Sequence, residues 1–191
     1  MKARSAPELL RRLENRTEQN LLLARSLAQL PTDRLRQRPA PGNWNALECL
    51  EHLNRLNAPY HERIAGALAD ASDKPAVPTF TSSWIGNKMA TSMKPVPGTK
   101  AVPTLQKMNP LGVSLDRSVL DRFVADQRQL KDFIVQARGV NLNRVKIRSP
   151  LAWVLRLRLG DTLRLLTYHD WRHLEQACRA AGVPVGEAVG V

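Results

Sequence analysis

Two histidines lie four residues apart in the last third of the chain, in a stretch that reads Tyr-His-Asp-Trp-Arg-His. A four-residue step along an α-helix returns to within about 40° of the same face, so His169 and His173 can reach one point in space. Imidazole nitrogens are common ligands of divalent metals. The spacing therefore permits a metal site, although by itself it fits a solvated or buried structural pair equally well.

The surroundings of the pair indicate which way it faces. Small and apolar residues recur at helical spacing on its face, while most charged residues fall on the other side, so we expect both imidazoles to point inward. The residues on this face are Leu163, Leu166, His169, His173, Gln176, Ala177 and Ala180. A buried imidazole needs a hydrogen-bond partner or a metal to offset its lost hydration.

A third histidine, His52, lies in a different predicted helix. If the two helices pack side by side, three imidazoles can meet inside a helical bundle, which is where bundles build metal sites. Three neutral nitrogens suit a divalent ion such as zinc or nickel and leave one coordination position open for water or a substrate atom. The hypothesis is thus a metal site formed by His52, His169 and His173.

Two further residues near His52 have alternative interpretations. Glu48 lies one turn earlier; it either supports the site as a second-shell group or base, or closes a capping box with Asn45 at the helix start. His61 lies nine residues beyond His52, on roughly the opposite face, so we expect a surface histidine rather than a fourth ligand. Cys49 is either a pocket thiol or a small buried apolar residue.

The elements that must position these residues are predicted to be four long helices with only weak strand signals between them. They run from about Pro7 to Leu30, from Asn45 to about Asp70, from Ser114 to Arg138 and from about Asp161 to Ala181. This pattern predicts an all-α fold, an antiparallel four-helix bundle with a long crossover between helices 2 and 3, forming one domain over residues 1–191. The connection, residues 71–112, should hold a short helix near 83–92 and is either a lid or a plain crossover.

Composition limits the classes of partner. The net charge is +12, from 29 Lys and Arg against 17 Asp and Glu. The basic residues are spread along the chain, aromatic residues are few, and no recognition motif accompanies them, so we do not expect a nucleic-acid partner. No segment reaches the roughly 20 apolar residues of a membrane span and none reads as a signal peptide, so we expect no membrane partner and a cytoplasmic location. Cys49 and Cys178 are expected to be free thiols.

Two segments resemble the signatures of a known superfamily. Between Arg38 and Leu53 a tryptophan and a capped helix start precede a glutamate and then His52; this resembles the first signature of the DinB-like metalloprotein superfamily. His169, His173 and the trailing Gln176 resemble its second signature. The order is the expected one, and the resemblance covers nearly the whole chain. It departs at Asn45, where Ser or Thr is commoner, and all three residues can cap a helix.

The resemblance implies a four-helix bundle, often a homodimer, that binds one divalent metal through His52, His169 and His173. The superfamily includes thiol-dependent S-transferases and isomerases. A metal-dependent enzyme that activates a low-molecular-weight thiol for transfer to an electrophilic small molecule is the activity we expect first, and metal-assisted hydrolysis the next. The alternative is a non-catalytic helical bundle, a binding or interaction protein in which the histidines are structural. A basic nucleic-acid-binding protein is a further, less favoured alternative.

Overall fold

A computed structural model of the chain describes residues 2–96 and 104–185, which are mostly helical. The helices are α1 (Ala6–Ala28), α2 (Thr32–Arg36), α3 (Ala46–Ala69), α4 (Trp84–Ser92), α5 (Ser118–Gln136) and α6 (Leu159–Ala181). The strands are β1 (Arg4–Ser5), β2 (Thr79–Phe80), β3 (Lys146–Arg148) and β4 (Arg156–Arg158). Short 3₁₀ turns cover Gln106–Met108 and Ala137–Gly139. Within the described ranges, no helix combines the length and apolar composition needed to cross a membrane.

Helices α1, α3 and α6 begin and end within about two residues of the predicted positions. Helix α5 begins at Ser118, one turn after the predicted Ser114, and its N-cap side chain makes no capping hydrogen bond. Ser5 accepts a hydrogen bond from the Glu8 amide at the start of α1. Gly182, with a φ of 68°, ends α6 in the left-handed conformation that glycine adopts without strain. Pro59 lies inside α3 without ending the helix.

Packing between the long helices is pairwise: α1 and α3 each contact both α5 and α6. Their buried apolar side chains form two clusters: the first includes Leu13 and Leu163, and the second includes Leu50 and Leu174. Helices α1 and α6 begin in the first cluster and end in the second. Helices α3 and α5 begin in the second cluster and end in the first. Helices α1 and α6 thus run in one direction and α3 and α5 in the other.

A layer of buried polar side chains lies near the boundary between the two clusters, with one member from each long helix. Asp170 accepts hydrogen bonds from Asn57 at 3.1 Å and Gln127 at 2.7 Å, and the Asn20 amide faces Gln127 at 3.5 Å. Burial raises the pKa of Asp170 to about 7, although both amide hydrogen bonds oppose that rise. Among the described residues no cationic side chain pairs with this buried carboxyl group.

The connection between α3 and α5 contains the expected short helix, α4, with Ser83 as its cap. It lies against α6. Asp161 accepts hydrogen bonds from the backbone and hydroxyl groups of Ser83 at 2.9 and 3.2 Å. Arg164, also buried in α6, donates to Ser82 at 2.7 Å and to Asn87 at 3.1 Å. Two buried charges of α6 thus fix the position of α4.

The segment before α6 forms a hairpin that the weak strand signals do not predict. Strands β3 and β4 are antiparallel, with Ile147 opposite Leu157, and both of these side chains are buried. Each strand has three residues, too few for alternation to stand out from the surrounding sequence. The predicted helix boundary near Asp161 is accordingly two residues late, since α6 begins at Leu159.

Two glycines provide a test of how α4 is fixed. A Cβ atom at Gly86 would overlap the Asp161 carboxylate and lie 2.7 Å from the Ser83 hydroxyl, whereas one at Gly66 in α3 would meet nothing within 4 Å. We expect Gly86→Ala to lower the free energy of unfolding by about 1–3 kcal/mol, because overpacked sites must shift. Gly66→Ala, the matched control, should raise it by about 0.5–1 kcal/mol. Urea unfolding measures both; equal effects would contradict the close contact of α4 with α6.

Candidate metal site

Three histidines converge between α3 and α6, as the spacing of the sequence predicts. Ligand nitrogens of His52, His169 and His173 all lie within 4.8 Å of one another. The Nε2 atoms of His52 and His169 are 3.3 Å apart. His52 and His169 are buried and His173 is half-buried. The two helices pack side by side, so the residues of both motifs form one cluster.

Hydrogen bonds on the outer side of the cluster fix two of the tautomers. His52 Nδ1 lies 2.8 Å from the Met108 carbonyl oxygen, which can only accept, so Nδ1 carries the proton. His173 Nδ1 donates in the same way to the Gln176 side-chain oxygen at 2.9 Å. The Nε2 atoms of both rings therefore carry lone pairs. This is the arrangement of metal-ligating histidines, in which the second nitrogen donates to a protein oxygen.

Burial keeps all three rings neutral at pH 7. It lowers the pKa of His52, and it lowers the pKa of His173 to about 3, with the nearby His52 adding to that shift. The pKa of His169 falls well below its ordinary value because of burial and then because of the other two imidazoles. Neutral imidazole is the form that binds metal, so a cation would meet little competition from protons here.

The cluster offers nitrogen lone pairs that a divalent ion can accept. Among the described residues His169 Nδ1 has no hydrogen-bond partner, and its Nε2 lies 3.3 Å from the His52 Nε2, which carries a lone pair. With its proton on Nε2, His169 donates to His52; with its proton on Nδ1, two lone pairs face each other, and a cation between them would remove that repulsion. The donors are all nitrogen, which suits zinc or nickel rather than calcium or magnesium.

Trp44 and the segment after the Gln106–Met108 turn form one wall of the site. The Trp44 ring lies 4.8 Å from the His52 ring and 5.8 Å from the His173 ring, centroid to centroid. Its indole N–H donates to Asn109 at 3.1 Å. Arg55 donates to the Asn109 carbonyl at 3.2 Å. The sequence does not predict the contacts of Met108 and Asn109, because this part of the connection carries no recognisable motif.

Glu48 is a structural carboxylate rather than a group that faces the three rings. It closes the predicted capping box: its backbone amide donates to Asn45 at 2.9 Å, and its carboxylate accepts from the Asn45 amide at 3.0 Å. Arg38 binds it through two hydrogen bonds of 2.6 and 2.7 Å, and the Gly112 amide donates to it at 2.8 Å. Burial raises its pKa, but these hydrogen bonds outweigh burial and the pKa is lowered overall.

Glu48→Gln tests this role. The glutamine side chain lacks the negative charge that faces Arg38 and two backbone N–H groups, so we expect the free energy of unfolding at pH 7 to fall by about 2–3 kcal/mol. Glu51→Gln is the matched control: its ion pairs with Arg55 and Arg122 are more exposed, and the loss should stay below about 1 kcal/mol. Urea unfolding at neutral pH gives both values. Unchanged stability of Glu48→Gln would instead favour a chemical role.

His61 is not part of the cluster, as expected, but the prediction of a surface position is wrong. Its side chain is 2% exposed, its Nδ1 lies 3.1 Å from the Gln129 side chain, and its ring packs edge-on against Phe133. The physical reason is that α3 contacts α5 as well as α6. The face of α3 opposite His52 is therefore also covered.

Buried neutral His61 predicts a pH dependence of stability. Burial lowers its pKa to about 4 from about 6.5, so between these values the unfolded chain binds a proton that the folded protein does not. The contribution of neutral His61 to the free energy of unfolding is complete above about pH 6.5 and is lost as the pH falls to about 4. We expect the wild type to lose up to about 3 kcal/mol relative to His61→Gln across this interval.

Urea unfolding of both proteins at several pH values measures this difference. Asp126, 3.9 Å from His61, has its pKa raised to about 6 by burial and so has the opposite dependence. It is present in both proteins, and its effect largely cancels in the comparison. If the free energies of unfolding of the wild type and of His61→Gln differ by the same amount from pH 7 to pH 4, His61 is not a buried neutral histidine.

A mostly helical fold with three convergent neutral histidines defines a class of candidate metal-binding helical proteins. Comparison with family models gives the particular family: the model described as the DinB superfamily matches residues 14–177. The chain belongs to the DinB superfamily, so the assignment made from the two motifs is confirmed. The match includes His52, His169, His173 and Gln176. Comparisons with curated proteins and with solved structures gave no match.

Proposed function

We propose that His52, His169 and His173 bind one divalent metal ion, zinc or nickel. The observation that carries this proposal is the fixed outer hydrogen bonding of two rings, which leaves their Nε2 lone pairs on the inner side of a three-imidazole cluster. Held by these three neutral nitrogens, such an ion would leave room for a further ligand and would lower the pKa of a thiol or water bound to it. Membership of the DinB superfamily supports the same assignment.

We propose that the substrate to be activated is a low-molecular-weight thiol, for transfer to an electrophilic small molecule. The protein's own thiols are unsuited to that role: Cys49 and Cys178 are both buried. Burial raises the pKa of Cys178 to about 11 and raises that of Cys49 further. Because a thiolate is the nucleophilic form, the nucleophile must come from a cosubstrate. Water, and hence hydrolysis, is the second choice.

The electrostatics of the site agree with an anionic cosubstrate. All three candidate ligands are neutral, and the nearby Glu48 carboxylate is already bound by Arg38. No acidic residue belongs to the candidate ligand cluster in the described part of the chain. The negative charge that would balance a divalent ion is thus left for a thiolate or hydroxide to supply.

We further propose that the four long helices form the antiparallel four-helix bundle with a long crossover, as a single domain. The opposed chain directions support this, because α3 and α5 run the same way and need a connection that returns along the bundle. A homodimer and a cytoplasmic location also remain proposals. Sedimentation velocity over a range of concentrations tests the first.

Metal content tests the assignment of the ligands. We expect untagged protein, purified without chelator or affinity metal, to contain about one equivalent of a divalent metal. His173→Ala should lose at least about nine tenths of it while keeping the helical circular dichroism spectrum, because two imidazoles bind far less tightly than three. His61→Gln, which removes a buried histidine outside the cluster, is the matched control and should retain the metal. Full metal content in His173→Ala would contradict the site.

The thiol proposal is tested on the same proteins after the metal has been measured. Metal-loaded wild type should accelerate the reaction of some low-molecular-weight thiol with a chromogenic aryl halide, and His173→Ala should not. An active hydrolase without thiol dependence would overturn the transferase and leave the metal site in place. A metal-free wild type would leave the non-catalytic bundle as the function.

A further inference from the structure

The β3–β4 hairpin carries a concentration of positive charge that the candidate metal site does not use. We define the basic hairpin as residues 146–158. Its cations are Lys146, Arg148, Arg156 and Arg158. No acidic residue occurs from residue 133 to residue 160. In the described part of the chain, none of the four cations forms an ion pair with a carboxylate.

The register of the hairpin places like charges directly opposite one another. Lys146 is paired with Arg158, and Arg148 with Arg156. Opposed residues of an antiparallel pair have Cα atoms only about 4.5–5.5 Å apart, and like charges there are destabilising. Burial of Ile147 and Leu157 on the inner face fixes this register. The free protein thus maintains a repulsion that an anionic surface would relieve.

The tip of the basic hairpin is apolar and fully exposed. Trp153 is 77% exposed and Val154 is 71% exposed. Backbone hydrogen bonds of 2.8 Å from Ser149 to Leu155 and 2.9 Å from Leu155 to Ala152 hold the tip in shape. Tyr60 anchors it to α3 through the Ser149 hydroxyl at 3.0 Å. Within the described ranges, the tip therefore presents a large indole and a branched aliphatic side chain that are mostly exposed.

We propose that the basic hairpin binds the surface of an anionic lipid membrane. Lys146, Arg148 and Arg156, which are exposed, would lie at the headgroups, and Trp153 and Val154 would enter the interface between headgroups and acyl chains. Arg158 is half-buried and donates to the Thr81 carbonyl, so it would contribute only its charge. Tryptophan favours that region because its ring is apolar and its N–H polar, and basic residues beside it are attracted by anionic lipids. This contact departs from the expectation of no membrane partner, which rests on the lack of a spanning segment; a hairpin that inserts only its tip needs no spanning helix.

A lipid surface explains both parts of the hairpin, whereas a nucleic acid explains one. Phosphates would satisfy Arg148 and Arg156, and a base could stack on Trp153. Val154, however, has neither a hydrogen-bonding group nor a flat face, and burying it gains free energy only in an apolar medium. The adjacent pair of Trp and Val at a loop tip, ringed by cations, therefore favours the membrane.

Vesicle cosedimentation tests the proposal with the full chain. We expect the wild type to pellet with phosphatidylcholine vesicles containing about 30% phosphatidylglycerol, and to remain in solution with phosphatidylcholine alone, since each cation near an anionic surface strengthens binding about fivefold. Arg148→Gln with Arg156→Gln should weaken partitioning by roughly 25-fold. Trp153→Ser with Val154→Ser should weaken it by about tenfold or more.

Matched control variants distinguish an effect of the basic hairpin on vesicle binding from effects of net charge or of exposed apolar side chains in general. Arg63→Gln with Arg128→Gln makes the same change of net charge at exposed sites on α3 and α5 and should leave partitioning within about twofold of wild type. Leu22→Ser with Val135→Ser removes two exposed apolar side chains elsewhere and should do the same. Equal losses in the control and hairpin variants would overturn the proposal.

Binding partners other than a membrane would give different results in these experiments. Failure of the wild type to pellet with anionic vesicles overturns the proposal. Absence of vesicle binding together with salt-sensitive binding to a DNA duplex, weakened in the arginine variant, would make the surface a nucleic-acid site. A concentration-dependent dimer that the Trp153 and Val154 variant abolishes, again without vesicle binding, would make it an interface between two copies. Quenching of wild-type fluorescence by brominated lipid, lost in Trp153→Phe, would confirm insertion of the tip.

Discussion

The buried carboxylate of Glu48 is the interaction on which the candidate site depends. It joins three separate parts of the chain: Arg38 before α3, Asn45 at its start, and Gly112 in the connection to α5. A charge removed from water is tolerated only when donors surround it, so these three parts cannot move independently. Asn45 fixes the start of α3, and with it the position of His52 one turn further on. Gly112 holds the loop whose Met108 carbonyl fixes the tautomer of His52.

The same arrangement turns negative charge away from the three imidazoles. Glu48 is neutralised by Arg38, and Asp170, next to His169 in sequence, is turned instead toward Asn57 and Gln127. Burial lowers the pKa of each ring, and the nearby positive charges of Arg55 and Arg172 lower these pKa values further. Burial here prepares lone pairs for a cation, whereas at Cys49 and Cys178 it suppresses reactivity by raising the pKa of the thiols. Burial thus leaves the imidazoles in their metal-binding form and the cysteine thiols in their unreactive form.

Much of this arrangement could be predicted from the sequence, because helical spacing and capping are local. The positions of His52, His169 and His173 on inward faces, the capping box at Asn45 and the short helix after Ser83 all follow from residues within a few turns of one another. Contacts formed by loops could not be predicted: nothing local joins Met108 to His52 or Gly112 to Glu48. The prediction of a surface position for His61 is wrong because its burial depends on contact with α5, which no pattern in α3 reveals. The β3–β4 hairpin could not be predicted because each of its strands has only three residues.

The polar layer across the helices, Asn20, Asn57, Gln127 and Asp170, also sets how the helices align. Asn57 and Gln127 both donate to the single carboxyl group of Asp170, and Asn20 meets Gln127, so an axial shift of any one long helix would break a buried hydrogen bond. The layer therefore favours one axial alignment of the four helices. It also separates the two apolar clusters: Trp44 packs against one, and Ile147 and Leu157 of the basic hairpin belong to the other. The wall of the candidate metal site and the hairpin are thus set apart by the one level at which all four long helices are hydrogen-bonded.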